Sequence, residues 1–134
     1  MKLFVGIDVS SEKLDVCFLD SNDTVLKEIC LSNDVNGASA IQENVLHFQQ
    51  LYHYEKIVVG MESTSIYSFH PAMFLTEDKE LKNLNVEVVV QNPKAIHRYK
   101  RLFEEDKTDR IDAFRIADFL RIGRYNKSLI KEEK

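Results

Sequence analysis

The hydrophobic and polar positions of this chain follow two periods, which together predict a mixed α/β domain. Three segments in the first quarter have the apolar runs and alternation of strands: KLFVGIDVS (2–10), LDVCFLD (14–20) and TVLKEICL (24–31). SND at 21–23 has turn residues, so these strands are predicted to form antiparallel hairpins. Apolar residues then recur at helical spacing between residues 35 and 52.

Strands and helices are predicted to alternate in the rest of the chain. KIVVGME (56–62) has the continuous apolar character of a buried central strand, and VEVVV (86–90) is a fifth strand. A helix is predicted between them, with Pro71 in its first turns or dividing it. Asn92–Pro93 starts another helix, and KTDRIDAFRIADFL (107–120) is the last one. The order β-β-β-α-β-α-β-α-α predicts a ribonuclease-H-like fold, with a mixed five-stranded sheet flanked by helices.

The last predicted helix carries two acidic residues in unusual places. At about 100° per residue, Asp109 falls inside its apolar stripe and Asp112 falls between Ile116 and Phe119. Both carboxylates are therefore expected to face the protein body, where an unpaired charge costs several kcal/mol. A structural role at a helix start explains Asp109 well and Asp112 less well. The stripe consists of Ala113, Ile116, Ala117 and Leu120, and the residues predicted on the outer side include Ile111, Phe114 and Asp118.

Two further carboxylates occupy strand positions that the topology brings together. Asp8 lies inside the first strand and Glu62 ends the fourth, and these strands are neighbours in a ribonuclease-H-like sheet. With Asp109 and Asp112, four carboxylates would converge and would repel one another unless cations lay between them. Oxygen ligands of this kind suit Mg²⁺ or Mn²⁺, and two such ions can clamp a phosphodiester. Each acid alone also admits a structural role, but their convergence favours a metal site.

Size and composition predict one domain without a membrane segment. The chain has 134 residues, of which 44% are hydrophobic, and no apolar run approaches a membrane span. We predict a domain at 1–125 followed by a polar tail at 126–134. Cys17 and Cys30 both fall in predicted strands, and they are interpreted as core or near-core thiols of a cytoplasmic protein.

Charge is distributed unevenly along the chain, whose net charge is −4. Residues 1–92 contain 6 basic and 14 acidic residues, whereas residues 93–127 contain 10 basic and 6 acidic ones. The basic stretch is either a solvated helical face or a surface for a nucleic-acid backbone. The candidate nucleic-acid-binding residues are Lys94, Arg98, Lys100, Arg101, Lys107 and Arg110.

Five motifs together resemble those of DEDD-type insertion-sequence transposases, the IS110 family, which includes Piv-like invertases and bridge-RNA-guided recombinases. They are GIDVS (6–10), LDV (14–16), ESTSIY (62–67), NP (92–93) and KTDRIDA (107–113). The resemblance implies a RuvC-like domain whose catalytic, metal-binding tetrad is Asp8, Glu62, Asp109 and Asp112. It also implies Mg²⁺ (or Mn²⁺), DNA as partner, a guide RNA as a further candidate, and a homo-oligomeric full-length protein. The chain departs from the usual pattern at Ser11 and Ser65, where lysine and glycine are common.

The resemblance also implies a C-terminal domain with a nucleophilic serine, and we expect this sequence to correspond to the N-terminal domain alone. We therefore expect an isolated catalytic domain that binds metal without completing recombination. A stand-alone nuclease resembling a Holliday-junction resolvase would have the same site and remains the main alternative. An ATP-using domain of the actin and sugar-kinase type would need a second glycine-rich loop, which four scattered glycines do not supply. A non-catalytic binding module is the remaining alternative.

Overall fold

A computed structural model describes residues 1–62, 69–102 and 112–123, except for the side chain of Phe69. A five-stranded sheet forms its centre, and helices cover both faces. The strands are β1 (Lys2–Val9), β2 (Lys13–Asp20), β3 (Val25–Ser32), β4 (Lys56–Glu62) and β5 (Val86–Gln91). The helices are α1 (Val35–Tyr52), α2 (Phe69–Glu77), α3 (Lys79–Lys82), α4 (Pro93–Arg101) and α5 (Ala113–Arg121).

The strand order confirms the predicted topology. The sheet runs β3-β2-β1-β4-β5, so the first and fourth strands are neighbours. β1, β2 and β3 pair antiparallel as consecutive hairpins, whereas β1, β4 and β5 are parallel. Parallel pairing requires the helical crossovers that the alternating second half of the sequence supplies.

Side chains that alternate along each strand build two separate cores. Leu3, Val5 and Ile7 of β1 point into the core shared with α1, α2 and α3. Phe4 points to the opposite face, where residues of α4 and α5 complete the second core. Because side chains on a strand alternate between faces, Gly6 and Asp8 belong to the same face as Phe4. The face covered by α4 and α5 is therefore the one that carries Asp8.

Gly6 allows α5 to pack directly on the backbone of β1. A Cβ at this position would overlap the carbonyl oxygen of Ala113 and would lie 2.5 Å from the amide nitrogen of Ala117. Only glycine permits such an approach of a helix to a strand. The start of α5 is consequently held next to the segment of β1 that leads to Asp8.

Local signals account for the helix starts that the sequence predicts. The side chain of Asp34 accepts a hydrogen bond from the amide of Gly37 at the start of α1. Asn92 does the same for Lys94 at the start of α4, where Pro93 occupies the first position. Pro71 lies in the first turn of α2, which is one of the two placements expected for it.

The structure corrects three predictions that were made from periodicity. Asp112 has extended backbone angles and α5 begins at Ala113, so Asp112 precedes the helix and is exposed. Asp118, predicted on the outer side of this helix, is only 5% exposed. Cys17 is buried as expected, but Cys30 is exposed because β3 is an edge strand with few residues covered. None of the helices in the described ranges is both long and apolar enough to cross a membrane.

Candidate carboxylate cleft

A row of polar side chains crosses the sheet on the face covered by α4 and α5. Asp8 on β1 pairs directly with Asp15 on β2, and Asp15 pairs with Cys30 on β3. Towards β5, Asp8 lies beside Glu62 on β4, because these two residues directly follow the paired residues Ile7 and Met61. Glu62 in turn pairs with Gln91 on β5. Since neighbouring strands lie about 4.8 Å apart, these five residues form one continuous line.

Glu62 is the electrostatically perturbed member of this row. It is half-buried at the carboxyl end of β4. Burial, reinforced by the negative charge of Asp8, raises the pKa of Glu62 from 4.5 to about 7. Each cause favours the protonated form, because a buried charge loses solvation and a like charge repels it. The structure thus brings two of the predicted carboxylates, Asp8 and Glu62, into direct electrostatic contact.

Asp112 reaches the same region from the N-terminus of α5. Its side chain accepts a hydrogen bond of 2.9 Å from the amide of Arg115, so it caps the helix. It also lines a cleft of about 430 Å³ together with Asp8. Asp112 therefore has the structural role of a helix cap, and it also lines the cleft. The close packing of α5 on Gly6 is what places this helix terminus there.

The cleft contains two further acids that the sequence reasoning did not identify. Asp15 and Glu28 line it beside Asp8 and Asp112. The signal for Asp15 was present, because its position in LDV has the same strand parity as the buried Cys17 and Leu19. Glu28 could not be found in this way, since only the register between β2 and β3 sets it opposite Cys17.

The negative potential of the cleft extends to the two thiols. Burial, with smaller contributions from the charges of Glu28 and Asp112, raises the pKa of Cys17 to about 12. A hydrogen bond with Asp15 raises the pKa of Cys30 as well. Both cysteines are therefore protonated at neutral pH, and neither is an activated nucleophile.

The chemistry of the side chains in the cleft suits a hard divalent cation. Their donors are mainly carboxylate oxygens, which Mg²⁺ and Mn²⁺ prefer. Within the described ranges, no three acidic, histidine or cysteine side chains are close enough to hold an ion together. The described part of the chain thus supplies three of the four predicted ligands, which are the neighbouring Asp8 and Glu62 and the nearby Asp112. The fourth predicted ligand, Asp109, lies outside the described residues.

A buried network behind the cleft fixes α5 against α4. Asp118 accepts a hydrogen bond of 2.6 Å from the hydroxyl of Tyr99 on α4. It also pairs with Arg115 at 3.3 Å and with Arg121 at 2.8 Å. Periodicity placed Asp118 on the outer side, but α4 covers that side and provides Tyr99, while Arg115 and Arg121 come from α5 itself. Phe114 is also not the exposed aromatic that was expected, because it packs partly against the second core and beneath the guanidinium of Arg115.

The predicted nucleic-acid-binding residues separate into three groups. Lys94, Arg98 and Arg101 are exposed on α4 and line one groove. Lys100 is only 7% exposed and faces the protein, so the expectation that it belongs to the same surface is wrong. Lys107 and Arg110 lie outside the described residues, as does Ile111, which was predicted on the outer side of the last helix.

Solved structures with the same architecture include those of RuvC. The chain aligns with Thermus thermophilus RuvC at a TM-score of 0.55 and 14% identity, covering 92% of this chain and 98% of the other. RuvC of the same organism in complex with a Holliday junction substrate aligns at a TM-score of 0.52 and 12% identity, with the same coverage. At this identity the similarity establishes the fold, which is ribonuclease-H-like, as predicted.

The sequence family is established separately. The DEDD-type IS110 transposase family, described as transposase, matches residues 5–134. The chain therefore belongs to this family, and it is a catalytic domain of an enzyme that acts on DNA. Comparison with curated proteins gave no match.

Proposed function

We propose that the carboxylate cleft binds Mg²⁺ or Mn²⁺ and acts on DNA phosphodiesters during transposition. The observation that carries this proposal is the half-buried position of Glu62 beside Asp8, where burial, reinforced by the charge of Asp8, raises the pKa of Glu62 to about 7. Two like charges held together at a cost to the fold are typical of a functional site, because a cation relieves the repulsion. Membership of a transposase family supports DNA as the substrate. The cell compartment we propose is the cytoplasm.

The residues of the proposed site have distinct roles. Asp8 and Glu62 would ligate the cation from adjacent strands, which fix their separation. Asp112 would contribute from the N-terminus of α5, and Asp109 would complete the tetrad. When bound, divalent ions polarise the phosphodiester and stabilise the charge on its attacking and leaving oxygens. Asp15 and Glu28 extend the negative potential, so an anionic DNA strand would approach this side of the cleft only when cations are present.

Metal-dependent stabilisation tests the proposal. The melting temperature of the chain would be measured with increasing Mg²⁺ or Mn²⁺ for the wild type and for Asp8→Asn. A ligand that binds only the folded state stabilises it by about 2.7 kcal/mol at a hundredfold excess over its Kd. We expect the melting temperature to rise with metal in the wild type and to stay nearly constant in Asp8→Asn.

Glu43→Gln is the matched control, because Glu43 is an exposed acid on α1, on the other side of the sheet. This variant should respond to metal as the wild type does. An equal response of the wild type and Asp8→Asn would contradict a metal site at the cleft. Absence of any response would contradict it as well.

A nuclease acting alone, in the manner of a resolvase, is the second candidate function. It is favoured by the similarity to RuvC over 98% of that protein's chain. The two candidates differ in what the chain does to branched DNA. Metal-dependent cleavage of a four-way junction, lost in Asp8→Asn, would favour the nuclease, whereas metal binding without cleavage would favour a transposase domain that needs further parts.

A further inference from the structure

Helix α4 presents a continuous basic face to solvent. Lys94, Arg98 and Arg101 are exposed and line one groove of about 480 Å³, with His97 between them. Their spacing of three to four residues places them on one side of the helix. The opposite side is buried against the second core and consists of Ile96, Tyr99 and Lys100.

The charges on this face are not neutralised by the described part of the protein. No carboxylate there forms an ion pair with Lys94, Arg98 or Arg101. The arginines of α5 differ, since Arg115 and Arg121 are both paired with Asp118. Lys94 also lies in the first turn of α4, where the helix dipole disfavours a cation and favours an anion. The position of Lys94 is therefore unfavourable for the helix alone, and a bound anion would relieve it, whereas Arg98 and Arg101 lie in the last turn, where the dipole favours a cation.

The basic face starts at the edge of the sheet that carries Glu62. Gln91, the last residue of β5, pairs with Glu62, and α4 begins two residues later at Pro93. Lys94 is thus at the end of α4 nearer to this edge, and Arg101 is at the far end. Since α4 also packs with α5 in the second core, the basic face and the cleft lie on the same side of the sheet.

The length of the face matches a short run of phosphates. Seven residues separate Lys94 from Arg101, which corresponds to about 10 Å along a helix. One strand of a DNA duplex carries a phosphate about every 3.4 Å along the helix axis, and successive phosphates lie further apart than this along the strand itself, so this length spans at most roughly three phosphates. Three cations that form no ion pair within the described ranges can therefore contact a short run of neighbouring phosphates of one strand.

We propose that the basic face of α4 binds the phosphate backbone of one DNA strand and guides it to the carboxylate cleft. The proposal rests on the proposed function for the identity of the nucleic acid. Lys94, Arg98 and Arg101 hold the strand by its backbone, and Lys100 takes no part. RNA has the same backbone charge and is an outcome of the test.

Charge-matched variants of the full chain test this surface. Binding of a fluorescent single-stranded DNA would be measured by anisotropy at several salt concentrations with EDTA present, so that no cleavage occurs. The test variant is Arg98→Gln with Arg101→Gln. Its control is Lys79→Gln with Lys82→Gln, which removes the same charge from exposed lysines of α3, on the opposite face of the sheet.

We expect the α4 variant to weaken binding by more than tenfold and to lower the salt slope by about 1.5, as expected for two lost phosphate contacts. The control should change affinity less than twofold. Equal losses in both variants would show that only net charge matters and would overturn the proposal, as would unchanged binding in the α4 variant. A loss seen with RNA of the same sequence but not with DNA would overturn the assignment to DNA.

The metal response separates this proposal from the proposed function. The α4 variant should keep its metal-dependent rise in melting temperature, because its substitutions lie outside the cleft. If neither this variant nor the wild type responds to metal, the proposed function fails. The binding measurements with single-stranded DNA then decide by themselves whether the α4 surface binds DNA. Loss of the metal response only in the α4 variant would contradict the separation of the two surfaces and overturn the proposal.

Discussion

Replacing Glu62 by glutamine should stabilise the metal-free protein at neutral pH. The folded state raises the pKa of Glu62 from 4.5 to about 7, so it binds a proton more tightly than the unfolded chain does. A raised folded-state pKa contributes stability that is fully present below pH 4.5 and is lost as pH rises through about 7. Glutamine is neutral at every pH and has nearly the same shape, so this loss should not occur in the variant.

The magnitude follows from the shift and from the exposure of the side chain. At about 1.36 kcal/mol per pKa unit, the shift corresponds to roughly 3 kcal/mol as an upper limit. Because Glu62 is only half-buried, solvent screening reduces this to about 1–2 kcal/mol. We therefore expect Glu62→Gln to exceed the wild type by about 1–2 kcal/mol at pH 8 and to match it within about 0.5 kcal/mol at pH 4.5.

Urea denaturation at a series of pH values, with EDTA present, measures this difference directly. Subtracting the variant from the wild type cancels other titrating groups that both proteins share. Parallel pH profiles for the two proteins would refute the reasoning, and so would a less stable variant at pH 8. Glu43→Gln should give a profile parallel to the wild type, since Glu43 is exposed and outside the cleft.

Variants at three further positions test the parts that hold the site. Gly6→Ala should destabilise the fold by about 2–4 kcal/mol in urea denaturation, because the Cβ of the new alanine would overlap Ala113. The same variant should weaken the metal response. A loss of stability below about 0.5 kcal/mol would contradict the close packing of α5. Asp112→Asn should keep the helix cap but lose the stabilisation by metal. Asp112→Ala should lose the stabilisation by metal and, in addition, about 1 kcal/mol of stability, because it removes the cap. Equal stability of the two variants would exclude the capping role. Asp118→Asn should lower the free energy of unfolding by about 3 kcal/mol in the same assay, since it leaves Arg115 and Arg121 without their buried carboxylate. A loss below about 1 kcal/mol would show that the network contributes little to stability.

Most strands and helices of this protein are predictable from local sequence. β4 has the bounds expected for it, and α1 spans the residues whose apolar side chains recur at helical spacing. The strand order followed from three hairpin-connected strands succeeded by crossovers, and this order placed Asp8 beside Glu62. These features depend on side-chain period and on turn and cap residues, which are properties of short segments.

Tertiary structure decided the features that depend on two elements meeting. Periodicity continued the last helix through Asp112, but Asp112 has extended backbone angles and its side chain caps α5, which begins at Ala113. Asp118 and Lys100 looked exposed on their own helices, and both are buried in the packed fold. Glu28 entered the cleft only through the register between β2 and β3.

The sequence by itself thus determined the topology and two adjacent carboxylates, because periodicity and turn chemistry act over a few residues. The close approach of α5 at Gly6, the cap at Asp112 and the buried charge of Asp118 arise only when α4, α5 and the sheet pack together. Whether a charged side chain is buried depends on what covers it, and that covering surface comes from distant parts of the chain. For this reason the electrostatic character of the cleft and the raised pKa of Glu62, the neighbour of Asp8, belong to the tertiary structure.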